Sequence, residues 1–149
     1  MKIYIDTNVY NRPFDDQTQP RIWLETLALG LILQLVESGE ATLVNSSVLE
    51  FENSRNPFSL RREWMERCLS LATEYQYVNE AIQQRAEELE KNGVSAIDAL
   101  HAAISETAHV DFFIACDDRL LKKGKQFKVK CMNAVDFVQQ ELFRFTEVA

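Results

Sequence analysis

Short apolar runs alternate along the chain with longer segments of helical spacing, and this alternation is the feature that most limits the fold. Strands are predicted at Lys2–Ile5, Ala41–Val44, Tyr75–Val78, Phe112–Cys116 and Phe127–Met132. Parallel pairing suits strands separated by helices, because a parallel connection needs a long crossover, and the helices then cover both faces of the sheet. The sequence therefore predicts an α/β fold, a three-layer α/β/α sandwich with a mainly parallel central sheet.

Helices are predicted between the strands from start and stop signals. The longest begins at Pro20 and stops at Gly39, because proline suits the first helical turn and glycine the residue after the last. Asp15 and Asp16 belong to the polar loop before it. Further helices are predicted from one of residues 45–47 to about 53, and over 60–73, 80–92, 95–108, 118–123 and 134–143.

The length of 149 residues indicates a single domain spanning residues 1–149, with one continuous core. The most apolar run, Leu27–Val36, is interrupted by Gly30 and Gln34 and is too short to cross a bilayer. The first residues are typical of a strand and not of a secretory signal. We therefore expect a cytoplasmic protein with no membrane segment. Its three cysteines show no metal-binding spacing and are expected to be buried, reduced thiols.

The formal charge of −7 argues against a protein that coats nucleic acid by bulk electrostatic attraction. Binding to a phosphate backbone would need local positive charge instead. Such charge follows Asp117, and Arg12 could frame the other side of the same site. The candidate phosphate contacts are Arg12, Arg119, Lys122 and Lys123. The alternative is that these are ordinary solvated charges of surface helices and edge strands.

Four acids occupy equivalent places, at or just beyond the end of a predicted strand or in the first turn of a helix. They are Asp6, Glu50, Asp98 and Asp117. Ligands of parallel α/β folds bind beyond the carboxyl ends of the strands, so these side chains are expected to converge there. Converging carboxylates repel one another unless protons or cations neutralise them, and carboxylate oxygens are the ligands that Mg²⁺ and Mn²⁺ prefer. A metal-dependent reaction on a phosphodiester would suit such a site.

Each of these acids also has a purely structural interpretation. The serine-to-acid spacings Ser47–Glu50 and Ser95–Asp98 match the capping box, in which an acid satisfies a backbone donor at the start of a helix. Asp6 and Asp117 could likewise be turn or helix-start residues. Their joint placement favours a shared site over four separate caps.

Four segments, taken in order, resemble the PIN-domain ribonucleases of the VapC toxin type. They are IYIDTNVY, SSVLEFE, VSAIDALHAA and FFIACDDRLLKKG, and with the last strand and helix the resemblance covers essentially the whole chain. It implies a metal-dependent endoribonuclease using Mg²⁺ or Mn²⁺, with RNA as substrate, a cognate antitoxin as partner and a homodimeric assembly. The implied catalytic residues are Asp6, Glu50, Asp98 and Asp117, the metal ligands Asp6, Asp98 and Asp117, and the supporting residues Thr7 and Asn8.

Some positions leave alternatives open. Glu52 and Asp118 neighbour the chosen acids, but Glu50 and Glu52 cannot both point into one site from a single helix. Ala115 stands where many members of the family carry Ser or Thr, which leaves a non-catalytic RNA-binding or scaffolding module as the alternative function. A phosphate-transfer receiver domain is less favoured, because DTN lacks a second aspartate. His101 lies one turn after Asp98, and a packing role is favoured over general-base catalysis.

The aromatic residues and the long helix bear on binding surfaces. Most of the large aromatic residues, Trp23, Trp64 and the phenylalanines, stand at core-like positions, so no platform for stacking bases is predicted. The segment Ile22–Val36 has more leucine than one buried helix face requires, which predicts a contact with a second copy or an antitoxin.

Overall fold

A computed structural model of the chain describes residues 1–142, which form five strands and eight α-helices. The strands are β1 (Lys2–Ile5), β2 (Thr42–Ser46), β3 (Glu74–Gln76), β4 (Phe112–Ala115) and β5 (Lys130–Asn133). The helices are α1 (Thr7–Asn11), α2 (Pro20–Glu37), α3 (Ser47–Ser54), α4 (Ser59–Leu69), α5 (Glu80–Lys91), α6 (Ala96–Thr107), α7 (Asp118–Lys123) and α8 (Ala134–Leu142). The last predicted helix residue, Phe143, lies outside the described residues.

All strand pairs are parallel, and the sheet order is β3-β2-β1-β4-β5. Right-handed crossovers place the helices leading from β1 to β3 on one face and α5 and α6, which lead back to β4, on the other. Helix α2 packs against α8 and α5 against α6. The predicted α/β fold with helices on both faces of a parallel sheet is therefore confirmed.

The central position of β1 explains its apolar sequence. Ile3, Tyr4 and Ile5 are all fully buried, since helices cover both faces of a parallel sheet. The chain leaves β1 toward β2 on one side and returns to β4 on the other, so the order reverses between β1 and β4. This is the place where open α/β sheets bind ligands, beyond the carboxyl ends of the strands.

Two predicted helix ends are confirmed by backbone geometry. Gly39 and Gly93 have φ angles of 83° and 93°, the left-handed conformation that glycine adopts without strain just past a helix. The helix predicted to run to residue 73 ends earlier, at Leu69. The Thr73 N–H already bonds to the Leu43 carbonyl of β2, so the chain has entered the sheet by that residue.

Two predicted strands are shifted. The strand predicted at Tyr75–Val78 is Glu74–Gln76, because the Val78 N–H donates to Ser47 Oγ and not to a neighbouring strand. The edge strand predicted from Phe127 begins only at Lys130. The Phe127 N–H closes a 3₁₀ turn on the Gly124 carbonyl, so its burial does not come from pairing in the sheet.

The loop predicted between β1 and α2 contains an unforeseen short helix, α1, which buries Val9 and Tyr10. The thiols are free, with Cys68 and Cys116 buried and Cys131 half-buried. Within residues 1–142, none of the helices has the length and apolar content needed to span a lipid bilayer.

Candidate active site

Asp6 stands at the carboxyl end of β1, and it is buried. Its backbone N–H donates to the Ile114 carbonyl of β4 at 2.9 Å, so the hydrogen bonding of the two central strands continues to this residue. The Asp6 carbonyl in turn accepts from the Val9 N–H in α1. These bonds hold the carboxylate at the point where the strand order reverses.

A chain of hydrogen bonds that begins in the core ends beside Asp6. The Tyr4 hydroxyl lies 2.8 Å from Ser46 Oγ and 2.6 Å from His101 Nδ1. On the other side of the imidazole, His101 Nε2 bonds to Glu52 Oε1 and lies 3.8 Å from Asp6 Oδ1. A neutral His101 ring carries its proton on Nε2 when Tyr4 donates to Nδ1, whereas a protonated ring donates from both nitrogens.

The Glu52 carboxylate is held from two sides. Thr7 Oγ1 donates to Glu52 Oε1 at 2.7 Å, and His101 Nε2 bonds to the same oxygen. Thr7 therefore contacts an acid of this cluster through a direct hydrogen bond.

The glutamate that reaches Asp6 is Glu52, whereas the sequence favoured Glu50. Glu52 follows the buried Val48 and Leu49 by four and three residues, so it shares their inward face of α3. Glu50 is exposed, accepts from Asn45 Nδ2 at 3.2 Å, and lines a different pocket beside Asn53. The predicted place of Glu50 in the acidic cluster is therefore corrected to Glu52.

The start of α3 also differs from the predicted capping box. The helix is capped by Ser46, whose Oγ accepts from the Leu49 N–H, and not by Ser47. Because the cap is Ser46, the predicted capping box of Ser47 and Glu50 does not form. Glu50 is therefore not the acid that satisfies a backbone donor at the start of this helix.

Asp98 and Asp117 lie together in a groove of about 620 Å³ between α6 and α7. Asp117 is the N-cap of α7 and accepts from the Arg119 N–H at 2.8 Å. Three of the four predicted phosphate contacts line the same groove, namely Arg119, Lys122 and Lys123. The groove therefore combines three carboxylates, those of Glu90, Asp98 and Asp117, with three cationic side chains.

Arg12 and Asn8 lie on the opposite side of Asp117, in a second pocket of about 350 Å³. The Arg12 guanidinium is committed to ion pairs with Asp15 and with the buried Glu25, both at 3.0 Å. Asn8 is exposed.

The electrostatics tie the four acids into one cluster. Burial raises the pKa of Asp6 to about 6; His101 opposes this effect, while the charges of Glu52 and Asp98 add to it. Burial also raises the pKa of Asp98, and the charges of Asp117 and Glu52 contribute. Asp6 and Asp98 therefore each respond to the charge of Glu52, and Asp98 also lies near enough to Asp117 to respond to it, so a positive charge beside these acids is favoured.

His101 supplies part of that positive charge. Burial by itself would lower the pKa of His101, but the hydrogen bond to Glu52 and the nearby carboxylates raise it. Burial likewise opposes ionisation of Glu52, yet its hydrogen bonds with His101 and Thr7 hold the pKa of the carboxyl below its ordinary value. The hydrogen bond between the two side chains thus favours the protonated imidazole of His101 and the ionised carboxylate of Glu52.

Comparison with known proteins assigns the family. The family model described as the PIN domain matches residues 3–126. The chain belongs to the PIN domain family. No curated protein matches it in sequence.

Two solved structures have the same fold as this PIN domain. One is VapBC2 from Rickettsia felis bound to a DNA fragment from their promoter, at 15% identity and a TM-score of 0.57, covering 89% of this chain and 98% of that one. The other is FitAcB from Neisseria gonorrhoeae, at 17% identity and a TM-score of 0.54, covering 89% and 97%. At these identities the likeness concerns the fold alone.

The side chains of this PIN domain suit a hard divalent cation by their chemistry. Within residues 1–142, no three His, Cys, Asp or Glu side chains lie close enough to hold a metal ion as they stand. All four acids of the cluster nevertheless offer oxygen donors, and the raised pKa values of Asp6 and Asp98 show that added positive charge would be favourable. The donor set therefore fits Mg²⁺ or Mn²⁺.

The sequence did not predict the buried side chains that support this PIN site through hydrogen bonds. Tyr4 and Ser46 have no functional signature in sequence, and His101 was assigned to packing. One signal for Glu52 was present, because it follows the apolar pair Val48 and Leu49 at helical spacing.

Proposed function

We propose that this PIN domain is a metal-dependent endoribonuclease. The observation that carries the proposal is the gathering of Asp6, Glu52, Asp98 and Asp117 beyond the carboxyl ends of the central strands, beside a groove lined by cationic side chains. A phosphodiester backbone needs both features, because its charge must be neutralised for binding while the acids serve the reaction.

Asp6, Asp98 and Asp117 would hold the cation, as the family resemblance implies. When bound, Mg²⁺ or Mn²⁺ supplies Lewis-acid activation of water and stabilises the charge that develops on the phosphate. Glu52 stands beside them as a further ligand or as the base that receives a proton from the attacking water. Its carboxylate is suited to either role because Thr7 and His101 fix its position.

The cationic side of the groove would bind the RNA backbone. Arg119, Lys122 and Lys123 line it together with Asp98 and Asp117. Phosphates held there would lie next to the acids, which would align one phosphodiester bond for attack. Arg12 is held in the wall of the second pocket by its ion pairs, so it is not counted among the free phosphate contacts.

We extend the proposal to a toxin that acts inside the cell and is held by a cognate antitoxin. The resemblance to VapC toxins and the fold shared with the VapBC2 structure support it. A surface for a protein partner is available on α2, where Trp23, Leu24, Leu27 and Leu31 are each 41–51% exposed. Exposed apolar side chains at this spacing on one helix favour a contact with an antitoxin or with a second copy.

The decisive experiment is cleavage of a mixed structured RNA by the purified chain with Mg²⁺ or Mn²⁺, beside EDTA. Metal-dependent cutting that disappears in Asp6→Asn and persists in a matched variant of an exposed acid, Glu87→Gln, is expected. No cutting, together with no heat of metal binding in calorimetry, would refute the nuclease and favour a non-catalytic RNA-binding module.

The association surface is tested separately. Sedimentation of the wild type and of a Trp23→Ser, Leu27→Ser double variant is expected to show a dimer that the double variant loses. A monomeric wild type at high concentration would leave the antitoxin as the only proposed occupant of this face.

A further inference from the structure

A cluster of exposed phenylalanines and arginines borders the second pocket at Asp117. Phe14 is 36% exposed and Phe58 is 58% exposed, although the sequence placed the phenylalanines in the core. The Arg61 guanidinium lies over both rings, 4.8 Å from the centre of Phe58 and 5.6 Å from that of Phe14. A single arginine therefore joins two exposed aromatic rings into one surface, which we call the Phe14–Phe58 platform.

The platform is continuous with the candidate active site. Arg61 lines the pocket of about 350 Å³ that also contains Asp117, so one side chain contacts both the aromatic rings and the wall of that pocket. The groove with the three cationic side chains opens on the other side of Asp117. A nucleic-acid strand with one phosphate at Asp117 would thus extend along the cationic groove in one direction and toward the platform in the other.

The charge on the platform is available to a ligand. No carboxylate within residues 1–142 forms an ion pair with Arg61, whose only hydrogen bond goes to the Phe14 carbonyl at 3.5 Å. Arg55 is similarly unpaired in that part of the chain, and its guanidinium lies 4.9 Å from the centre of the exposed Phe51 ring. Planar guanidinium groups beside aromatic faces bind both the π-face of a base and a phosphate.

The pocket next to the platform presents hydrogen-bonding groups. Asn8, Asn11 and Asn56 line it with their amide side chains. Asn11 Oδ1 is buried and has no hydrogen-bond partner within residues 1–142, while its Nδ2 donates to the Thr7 carbonyl. An unsatisfied buried acceptor is unfavourable unless a ligand or water reaches it, and the amino groups of bases and the ribose hydroxyl are donors of the right kind.

The backbone at Phe58 is held in place before any ligand arrives. Asn56 Oδ1 accepts from the Phe58 N–H at 3.0 Å, Pro57 restricts the backbone between them, and Phe58 then occupies the N-cap position of α4. Binding at the ring therefore requires little ordering of the backbone that carries it.

We infer that the Phe14–Phe58 platform binds unpaired nucleobases of single-stranded RNA next to the bond that is cut. One base stacks on the exposed Phe58 ring, Arg61 contacts the adjoining phosphate, and the neighbouring amide-lined pocket takes base edges or ribose. The inference rests on the proposed function in taking RNA as the ligand. It adds the aromatic surface that holds a base beside the cut, which the acidic cluster does not determine.

The test measures binding apart from cleavage. The full chain in EDTA is titrated into a fluorescein-labelled single-stranded RNA octamer, and anisotropy gives Kd for the wild type, Phe58→Ala, Phe58→Leu and Phe58→Tyr. Leu60→Ala is the matched control, because Leu60 is 71% exposed in the first turn of α4, next to Phe58, and has no aromatic ring.

Phe58→Ala is expected to weaken binding about 5- to 100-fold, the effect of losing one base–aromatic stack. Phe58→Leu is expected to be nearly as weak, since it keeps apolar area without a π-face, whereas Phe58→Tyr and Leu60→Ala should stay within about 2-fold of the wild type. With 2-aminopurine replacing single adenines, the base whose fluorescence is quenched by the wild type and not by Phe58→Ala is the stacked one.

Three results would overturn the inference. They are absence of RNA binding by the wild type, unchanged affinity in Phe58→Ala, and full affinity in Phe58→Leu, which would show that stacking on an aromatic face does not contribute. The outcome is separable from that of the proposed function. Binding through Phe58 without metal-dependent cutting would refute only the nuclease, and cutting with unchanged affinity in Phe58→Ala would refute only the platform.

Discussion

Replacing Asp6 with asparagine is expected to stabilise the folded chain at neutral pH when no metal is present. Asp6 is only 3% exposed, and burial is the largest cause that raises its pKa from 3.8 to about 6. The folded state therefore holds the Asp6 proton more tightly than the unfolded chain does. Since a tenfold change in proton affinity corresponds to about 1.4 kcal/mol, ionised Asp6 destabilises the fold by about 3 kcal/mol.

The pH dependence follows from the direction of this pKa change. A folded-state pKa above the unfolded value means that the stability linked to the Asp6 proton is fully present below pH 3.8 and is lost as the pH rises through about 6. Asp6→Asn has no such proton to lose. The free energy of unfolding of Asp6→Asn should thus equal that of the wild type in acid. It should exceed the wild-type value increasingly between these two pH values and by a constant amount above them.

Urea unfolding followed by circular dichroism, in EDTA at a series of pH values, measures this difference in the free energy of unfolding. Glu87→Gln, an exposed acid on α5, is the control and should match the wild type throughout. Saturating Mn²⁺ should stabilise the wild type and not Asp6→Asn. Equal stabilities of wild type and Asp6→Asn at neutral pH, or a difference that persists unchanged in acid, would refute the argument from burial.

Three further predictions concern the site. Glu52→Gln should lower the rate of RNA cleavage on the order of 100-fold or more, whereas Glu50→Gln should cut at the wild-type rate, and the reverse order would return Glu50 to the site. Tyr4→Phe removes the hydroxyl partner of His101 and should cost about 1–3 kcal/mol in urea unfolding. It should also lower kcat more than it changes KM, and an unchanged kcat would limit Tyr4 to packing. Neutralising Arg119, Lys122 or Lys123 should reduce the slope of log affinity for single-stranded RNA against log salt by about 0.7 for each side chain. An unchanged slope would show that the RNA phosphate backbone binds elsewhere.

The sequence determined the parts of this protein that depend on local chemistry. Apolar runs and capping residues located the strands and most helices, and the parallel arrangement followed from their alternation. Asp6 and Asp117 could be assigned because each directly follows a predicted strand, and Asp98 because it lies in the first turn of its helix. These positions depend on neighbours in the chain, so a local pattern is sufficient to find them.

The tertiary structure alone decided which side chains meet. Glu50 and Glu52 differ only in the face of α3 that they occupy, and the packing of Val48 and Leu49 against the sheet selects Glu52. The contact between His101 and Tyr4 joins residues 97 positions apart, which no local spacing encodes.

The exposure of Phe14 and Phe58 was also decided by the tertiary structure. Hydrophobic character favours burial, but whether a given ring is covered depends on which elements pack above it. Here Arg61 lies over both rings and leaves them partly open to solvent. Local propensities therefore determined the order of the elements and the places of three acids, whereas long-range packing determined the fourth acid, its support and the surface beside it.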